Sequence, residues 1–157
     1  MSYVGMGYDS HRFVKGRPLM LGGVRVPFEK GLAGHSDADV VLHAVIDALL
    51  GAAGMGDIGT FYSDEEARWK NADSLLLLAD TFRRLNRRLR VVNVDVTVLA
   101  EEPRLGPYKN RMRAKMARVL KMSVDRVNVK AKSNEGMGWV GRKEGMAALA
   151  TCALEKI

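Results

Sequence analysis

Asp9, His11 and His43 are the residues of this chain best suited to bind a metal ion. Asp9 and His11 lie two positions apart in a segment with strand-like alternation, so both side chains point to one face of a strand. His43 lies in an apolar run, where an imidazole needs a polar partner. Two imidazole nitrogens and one carboxylate oxygen, with a fourth position left for water or substrate, are typical of a catalytic zinc site. A hydrogen-bonded core histidine beside a surface turn fits the same spacing.

A dense polar segment, Gly34–Asp39, precedes the apolar run that contains His43. Ser36 and Asp37 both have side chains that cap helices, and either could cap the helix that the following apolar positions predict. Asp47 follows His43 by one helical turn, so its carboxylate could accept a proton from the imidazole nitrogen that a metal does not use. A salt bridge elsewhere on the surface is an equal alternative for Asp47.

A second polar group lies at the ends of two predicted strands, in Ala100–Gly106 and Ala131–Glu135. Short side chains and free backbone at a strand end could bind the polar edge of a base, while Arg104 and Lys132 supply positive charge to phosphates. Glu135 is the nearest acid in sequence, and from the residues alone it could be an ordinary loop acid.

Several short strings occur in an order and spacing that resemble one enzyme family. They are Gly-Tyr-Asp-Ser-His, His-Ser-Asp-Ala-Asp-Val-Val-Leu-His-Ala, Gly-Asp-Ile-Gly, Asn-Ala-Asp-Ser, Asn-Val-Asp-Val-Thr, Asn-Val-Lys-Ala-Lys and Gly-Arg-Lys-Glu-Gly. From about Tyr3 to Leu154 the chain resembles the 2-C-methyl-D-erythritol 2,4-cyclodiphosphate synthases of the non-mevalonate isoprenoid pathway. The resemblance implies a lyase that cyclises 4-diphosphocytidyl-2-C-methyl-D-erythritol 2-phosphate. Its 2-phosphate attacks its β-phosphate and CMP is released.

The resemblance also implies the roles of individual residues. Zinc would be held by Asp9, His11 and His43, and Glu135 would hold a magnesium or manganese ion between the α- and β-phosphates. The expected catalytic residues are His35, Ser36, Asp64, Ser133 and Glu135. Substrate contacts are expected from Asp9, His11, His35, Ser36, Asp57, Ile58, Gly59, Tyr62, Asp64, Ala100, Arg104, Leu105, Gly106, Ala131, Lys132, Ser133, Glu135, Trp139 and Arg142. Among these, Asp57 and Gly59 would bind the ribose and Asp64 the methylerythritol.

Some positions depart from the family pattern. Ala38 stands where glycine is common, with no chemical consequence expected. Tyr62-Ser63 replaces a common Phe-Pro, which predicts a less rigid lid, and Lys132 replaces a common threonine, which affects the expected phosphate contacts. Trp139 and Arg142 lie in a segment that lines a central cavity in some members, where an isoprenoid diphosphate can bind. A subunit interface is the default prediction for that segment.

Composition limits the possible functions. The 157 residues suit one domain spanning residues 1–157, and 25 Lys+Arg against 18 Asp+Glu give a net charge of +7 that favours anionic partners. An RNA-binding module is one alternative, because basic residues cluster on two predicted helices. No aromatic platform accompanies them, so solvated helix faces are the simpler interpretation. A zinc phosphohydrolase that uses water as its nucleophile is the other alternative.

The single cysteine, Cys152, excludes a cysteine-rich metal site and a disulfide framework, and it fits a reducing cytoplasm. The first residues lack the apolar core of a secretory signal, and no apolar run approaches the ~20 residues that span a bilayer. We therefore expect a cytoplasmic protein with neither nucleic acid nor membrane as its partner.

The elements that position these residues are predicted from periodicity. Strands are expected at residues 2–9, 19–21, 24–26, 91–99 and 127–132, and helices at 39–53, 74–89 and 107–122. Residues 146–154 favour a helix by propensity, but the family implies a strand, which is the prediction adopted. This order predicts an α/β (α+β) two-layer sandwich, a mixed sheet of the four-stranded type with helices on one face. The family packs such sheets around a trimer axis, so a homotrimer with sites at subunit interfaces is expected.

Overall fold

A computed structural model describes all 157 residues of the chain. Its strands are β1 (Ser2–Lys15), β2 (Leu19–Leu21), β3 (Val24–Val26), β4 (Lys30–Leu32), β5 (Leu89–Leu99), β6 (Val127–Lys132) and β7 (Gly145–Lys156). Its helices are α1 (Val40–Ala52), α2 (Ile58–Phe61), α3 (Ser74–Leu85), α4 (Lys109–Val119) and α5 (Gly138–Gly141). None of these helices combines the length and the apolar character that a membrane crossing requires.

The main sheet has five strands in the order β4-β1-β7-β5-β6, and β2 and β3 form a separate hairpin. β5 and β6 are parallel, whereas all other neighbours are antiparallel. A core cluster of 37 buried apolar residues includes side chains of the sheet and of α1, α3 and α4. The predicted α+β architecture is confirmed.

The structure differs from the predicted elements mainly at their ends. The sheet has five strands, not four, because the three-residue β4 pairs with the end of β1. So short a strand carries too little alternation to be seen in the sequence. α3 ends at Leu85, four residues early, because the chain must turn before β5 begins at Leu89. A 3₁₀ turn at Gly106–Tyr108 precedes α4, which ends at Val119.

The last segment, β7, is a strand as predicted, although its composition favours a helix. It lies between β1 and β5 and pairs with both, so it is the central strand of the sheet. Its side chains Ala148, Ala150, Cys152 and Leu154 are buried. Pairing on both edges therefore outweighs the local helix propensity of alanine and leucine.

Two glycines of β1 bring this strand against the backbone of α1. A Cβ placed on Gly5 would lie 2.0 Å from the Ala48 carbonyl oxygen, and one on Gly7 would lie 2.0 Å from the Ala44 carbonyl oxygen. Only residues without a side chain permit this approach. The contact sets the distance between the strand that carries Asp9 and His11 and the helix that carries His43.

The opposite face of β1 is uncovered. Val4, Met6 and Tyr8 alternate with the two glycines, so they point away from α1. Their exposed fractions are 74%, 69% and 51%, respectively. A row of large apolar side chains this exposed is typical of a surface that another chain covers.

Candidate active site

Asp9, His11 and His43 converge where β1 faces α1. Asp9 Oδ2 lies 2.7 Å from His11 Nε2 and 3.0 Å from His43 Nδ1, and the two ring nitrogens are 3.2 Å apart. Ligand atoms about 2.0–2.1 Å from a tetrahedral zinc ion lie roughly 3.3 Å from one another. The three atoms are therefore spaced almost as a tetrahedral ion requires. The predicted grouping is confirmed, and it fits a divalent metal.

Each imidazole has one nitrogen bound to the protein and the other turned towards this cluster. His11 Nδ1 lies 2.7 Å from the Ala33 carbonyl oxygen, so it donates its proton there and leaves the lone pair of Nε2 free. His43 Nε2 lies 3.0 Å from both Ser36 Oγ and Ser74 Oγ, which leaves Nδ1 for the cluster. Such partners fix the tautomer of a metal-binding histidine.

The electrostatics of the cluster favour an ionised carboxylate. Burial by itself raises the pKa of Asp9, but hydrogen bonds and charge interactions with His11 and His43 outweigh it and lower that pKa to about 2. Burial likewise lowers the pKa of His11, but the hydrogen bond and charge of Asp9, together with Ala33 and Asp39, outweigh it, so that pKa is raised. Without metal, the carboxylate thus remains charged across the usual pH range and attracts cations.

Neither of the two alternatives for Asp47, an acceptor for His43 or a surface salt bridge, is found. Asp47 Oδ1 accepts a hydrogen bond from the Ile58 backbone N–H at 2.7 Å and so anchors the start of α2. Helical spacing places the two side chains on one face of α1, but the second nitrogen of His43 turns towards Ser36 and Ser74 instead.

The cap of α1 is Asp39, not Ser36 or Asp37. Its Oδ1 accepts from the Leu42 backbone N–H at 3.0 Å. Its two oxygens also accept from the backbone N–H groups of the turn between β2 and β3, at 2.9 and 2.7 Å. Asp39 is completely buried, and this burial, with the nearby charge of Asp37, raises its pKa to about 7 although the donors favour the ionised form. One carboxylate therefore joins the hairpin to α1.

A cavity of about 270 Å³, the metal cavity, opens beside the three ligand atoms. It is lined by Asp9, His11, Gly34, His35, Ser36, His43, Ile58, Gly59, Tyr62, Ser63, Asp64, Trp69 and Leu77. The structure thus brings the expected zinc ligands into one cavity with His35, Ser36, Ile58, Gly59, Tyr62 and Asp64, all of which were expected to contact the substrate. Asp57 is not among them, because its Oδ1 caps α2 by accepting from the Thr60 backbone N–H at 3.0 Å and from Thr60 Oγ1 at 2.9 Å.

Tyr62 anchors the wall of this cavity to α3. Its buried hydroxyl lies 3.2 Å from the Leu77 carbonyl oxygen, 2.9 Å from Asp80 Oδ2 and 3.0 Å from Thr81 Oγ1. Its ring meets Trp69 edge to face, with centroids 5.2 Å apart. A phenylalanine would lack these polar contacts, so the tyrosine secures a segment that was expected to be less rigid. Trp69 Nε1 is the one buried side-chain polar atom of the chain without a partner.

Arg17 is a residue of the site that sequence analysis missed. Its guanidinium donates to the carbonyl oxygens of Gly34 and Ser36 and so holds the loop beside the metal ligands. His35, in the same loop, places Nε2 3.2 Å from the Glu66 carbonyl oxygen. A single arginine in a turn has no sequence signature, and only the fold shows that it reaches this loop.

A second cavity, of about 600 Å³, lies at the carboxyl ends of the parallel strands β5 and β6 and is called the basic cavity because Arg104, Lys109 and Lys132 line it. Its lining residues are Ala100, Glu101, Pro103, Arg104, Leu105, Gly106, Pro107, Lys109, Ala131, Lys132 and Ser133. The two predicted segments therefore meet, as parallel strands that end at one edge must. The two cavities have no lining residue in common.

Glu135, Trp139 and Arg142 line neither cavity. Glu135 is exposed, with a φ of 51°, and its Oε1 accepts from Ser133 Oγ at 3.0 Å. Arg142 pairs with Glu144 at 2.7 Å, and Trp139 is 37% exposed. Within one chain these three side chains are therefore not part of either cavity.

Carboxylate and imidazole donors beside one cavity, and a basic cavity at parallel strand ends, define an α+β protein with a candidate site for a divalent metal and with charges suited to phosphorylated ligands. The chain belongs to the YgbB family, whose model matches residues 2–155. It is 54% identical to the 2-C-methyl-D-erythritol 2,4-cyclodiphosphate synthase of Salinibacter ruber over 153 residues, which are 97% of this chain and 98% of that protein.

Solved structures agree with this membership. The bifunctional IspDF from Campylobacter jejuni matches with a TM-score of 0.96 and 40% identity, over 100% of this chain and 43% of that longer chain. IspF of Plasmodium falciparum in a CDP complex matches with a TM-score of 0.86 and 27% identity, over 99% of this chain and 96% of that chain. The predicted resemblance and the predicted α+β fold class are both confirmed.

Proposed function

We propose that this chain converts 4-diphosphocytidyl-2-C-methyl-D-erythritol 2-phosphate into 2-C-methyl-D-erythritol 2,4-cyclodiphosphate and CMP, as a lyase of isoprenoid precursor biosynthesis. The observation that carries the proposal is the convergence of Asp9, His11 and His43 at the edge of a cavity lined by His35 and Ser36. A relative with 54% identity bears the name of this synthase, which supports the same assignment.

The substrate supplies its own nucleophile, so no protein nucleophile is needed. An oxygen of the 2-phosphate attacks the β-phosphorus, the bond from that phosphorus to the α–β bridging oxygen breaks, and CMP leaves with the bonding electrons. Asp9, His11 and His43 would hold a zinc ion that would polarise the β-phosphate, and Glu135 would hold a magnesium or manganese ion that would neutralise diphosphate charge. The protein otherwise contributes positioning and electrostatic stabilisation.

The residues of the two cavities divide the substrate between them. In the metal cavity, His35 and the Ser36 hydroxyl orient phosphoryl oxygens, and Asp64 binds the methylerythritol. Asp57 and Gly59 are assigned to the ribose. The second cavity holds the cytidine end, with positive charge from Arg104 and Lys132, and Ser133 contacts the phosphates.

The proposal includes a homotrimer whose sites lie between subunits. Its first support is the uncovered face of Val4, Met6 and Tyr8, because burying apolar side chains this exposed stabilises an interface, by up to about 1.5–3 kcal/mol for a side chain such as Val4 or Met6. Its second support is that the two cavities have no residue in common. A cyclic threefold assembly is heterologous, so each interface can join one subunit's metal cavity to the next subunit's basic cavity.

Phosphorus NMR of the product tests the reaction. Internal attack yields the cyclic diphosphate with one equivalent of CMP. A linear phosphate product would instead show attack by water, and the zinc phosphohydrolase alternative would replace the proposal. The RNA-binding alternative predicts an affinity for RNA that falls steeply with added salt, which a titration at two salt concentrations measures.

Mixed trimers test the shared site. Co-expression of His11→Ala chains with Glu135→Ala chains should restore activity, because about one quarter of random equimolar contacts pair two intact halves. A matched control combines His11→Ala with His43→Ala chains, which damage the same half and should stay inactive. If the first mixture forms mixed trimers by native mass spectrometry yet remains as inactive as the control, each site lies within one chain.

The proposal assigns residues 1–157 to one synthase domain, which the single core cluster supports. It assigns the reaction to the cytoplasm, and the support for this is the one cysteine, Cys152, which is free and buried. Such a thiol is typical of a reducing compartment.

A further inference from the structure

The nitrogen of His43 that faces away from the metal cluster has two hydroxyl neighbours. Ser36 Oγ and Ser74 Oγ both lie 3.0 Å from His43 Nε2. An imidazole nitrogen carries only one proton, so the protein must determine which hydroxyl accepts it and whether Nε2 is protonated at all. The answer decides whether Nδ1 keeps a lone pair for the metal.

Asp37 orients the hydroxyl of Ser74. The Ser74 hydroxyl donates to Asp37 Oδ1, and the Ser74 backbone N–H donates to Asp37 Oδ2 at 3.0 Å. With its proton committed to a carboxylate, Ser74 Oγ can only accept from His43 Nε2. Ser74 is completely buried, so no bulk water competes for this bond.

The hydroxyl proton of Ser36, unlike that of Ser74, is not held by a carboxylate. Ser36 lines the cavity, and its Oγ already accepts from the Ala38 backbone N–H at 3.2 Å. If Ser74 takes the Nε2 proton, the hydroxyl proton of Ser36 remains free to be donated into the cavity. The two serines then have different tasks although both are equally close to the ring.

We propose that Asp37 and Ser74 form a hydrogen-bond relay that keeps His43 in its Nε2-protonated tautomer and turns Nδ1 towards the metal. Both are positioning residues that act through His43. This inference rests on the metal site proposed above. It predicts that a residue remote in sequence and hidden from the cavity controls metal affinity, since partners of metal-binding histidines typically change that affinity by about 10–100-fold.

The first measurement is zinc affinity by competition with a chelator. Ser74→Ala should raise the zinc dissociation constant by about 10–100-fold relative to the unmodified chain. Asp37→Asn should raise it in the same direction, because an amide cannot accept both Ser74 donors. This second variant keeps the test available if Ser74→Ala folds poorly.

Asp73→Ala is the matched control for a merely structural role of Ser74. Ser74 is the first residue of α3, and Asp73 caps this helix by accepting from the Leu75 backbone N–H at 2.8 Å. Asp73 makes no hydrogen bond to His43. This variant should lower the melting temperature while its zinc dissociation constant stays within about twofold of the original. Equal losses of zinc affinity in Asp73→Ala and Ser74→Ala would overturn the relay.

The second measurement is nitrogen NMR of the histidine rings in zinc-free protein. The unmodified chain should show His43 as the Nε2-protonated tautomer, and Ser74→Ala should show a mixture of both tautomers. An unchanged tautomer with unchanged zinc affinity would overturn the inference. If the unmodified chain binds no zinc, the proposed metal site fails, whereas the tautomer still decides for or against the relay.

Discussion

A methyl group at residue 7 tests how the fold positions the metal ligands. In Gly7→Ala the new Cβ would lie 2.0 Å from the Ala44 carbonyl oxygen and 2.7 Å from the Ala48 backbone nitrogen. Real Cβ atoms essentially never approach another heavy atom closer than 3.0 Å. To bring the 2.0 Å contact up to 3.0 Å, α1 must move outward by about 1 Å, because both contacts are to backbone atoms that cannot rotate away.

The metal site should lose more than the fold does. His43 directly precedes Ala44 and moves with it, whereas sites of this kind tolerate displacements of only about 0.5 Å. We therefore expect zinc affinity to fall at least tenfold. Overpacking of about 3 kcal/mol, the upper end of the usual range, would lower the melting temperature of the zinc-free protein by roughly 6–12 °C.

Gly51→Ala is the matched control, since it makes the same Gly-to-Ala change on α1, the helix that packs against β1. Its nearest neighbour is the Met6 carbonyl oxygen at 4.0 Å, an ordinary contact distance. Alanine there should stabilise the helix by up to about 1 kcal/mol and leave zinc affinity unchanged. Chelator competition and thermal denaturation of both variants measure the difference. If Gly7→Ala binds zinc and melts like Gly51→Ala, the glycine contact does not set the ligand spacing.

Four further predictions concern single side chains. His43→Ala should lower the zinc content of the purified protein from about one ion per chain to a trace, and it should abolish turnover while the fold stays largely intact. Full activity of metal-free enzyme would contradict this prediction. Glu135→Gln should raise the magnesium or manganese concentration for half-maximal rate without removing zinc, and an unchanged titration would leave Glu135 an ordinary loop acid. Tyr62→Phe should cost about 1–3 kcal/mol in denaturant unfolding, because it removes the partner of the buried Thr81 hydroxyl; an unchanged midpoint would show that this anchor is unimportant. Burial raises the pKa of Cys152 to about 11. At pH 8 this thiol should therefore react with a thiol reagent at least ~100-fold more slowly in the folded protein than in the unfolded chain. Equal rates would show that Cys152 is not buried.

The sequence predicted those parts of the site that follow from local periodicity. The two-residue spacing of Asp9 and His11 places both on one face of β1, and their donor atoms do converge with that of His43. The meeting of two strand ends was also predictable, because parallel pairing of β5 and β6 brings Ala100 and Lys132 to one cavity.

What the sequence could not show depends on contacts between distant segments. Neither alternative for Asp47 was found, because helical spacing identifies neighbours on α1 but not the direction in which an imidazole turns. Ser74 lies 31 residues from His43, and Arg17 lies 19 residues from Ser36. Neither distance leaves a pattern that one sequence can reveal. β7 shows the converse, since pairing on both edges overrides alanine's preference for helix.

The buried carboxylate of Asp39 has a consequence for the order in which this structure opens. Two of its three amide donors belong to the hairpin turn at Gly22-Gly23, and the third belongs to α1. Separating the hairpin from the helix would leave a buried carboxylate short of partners, which is costly in the interior. The hairpin and the first turn of α1 should therefore open together, as one cooperative unit. A segment that contributes no residue to the metal cluster thus governs how often the helix carrying His43 loosens.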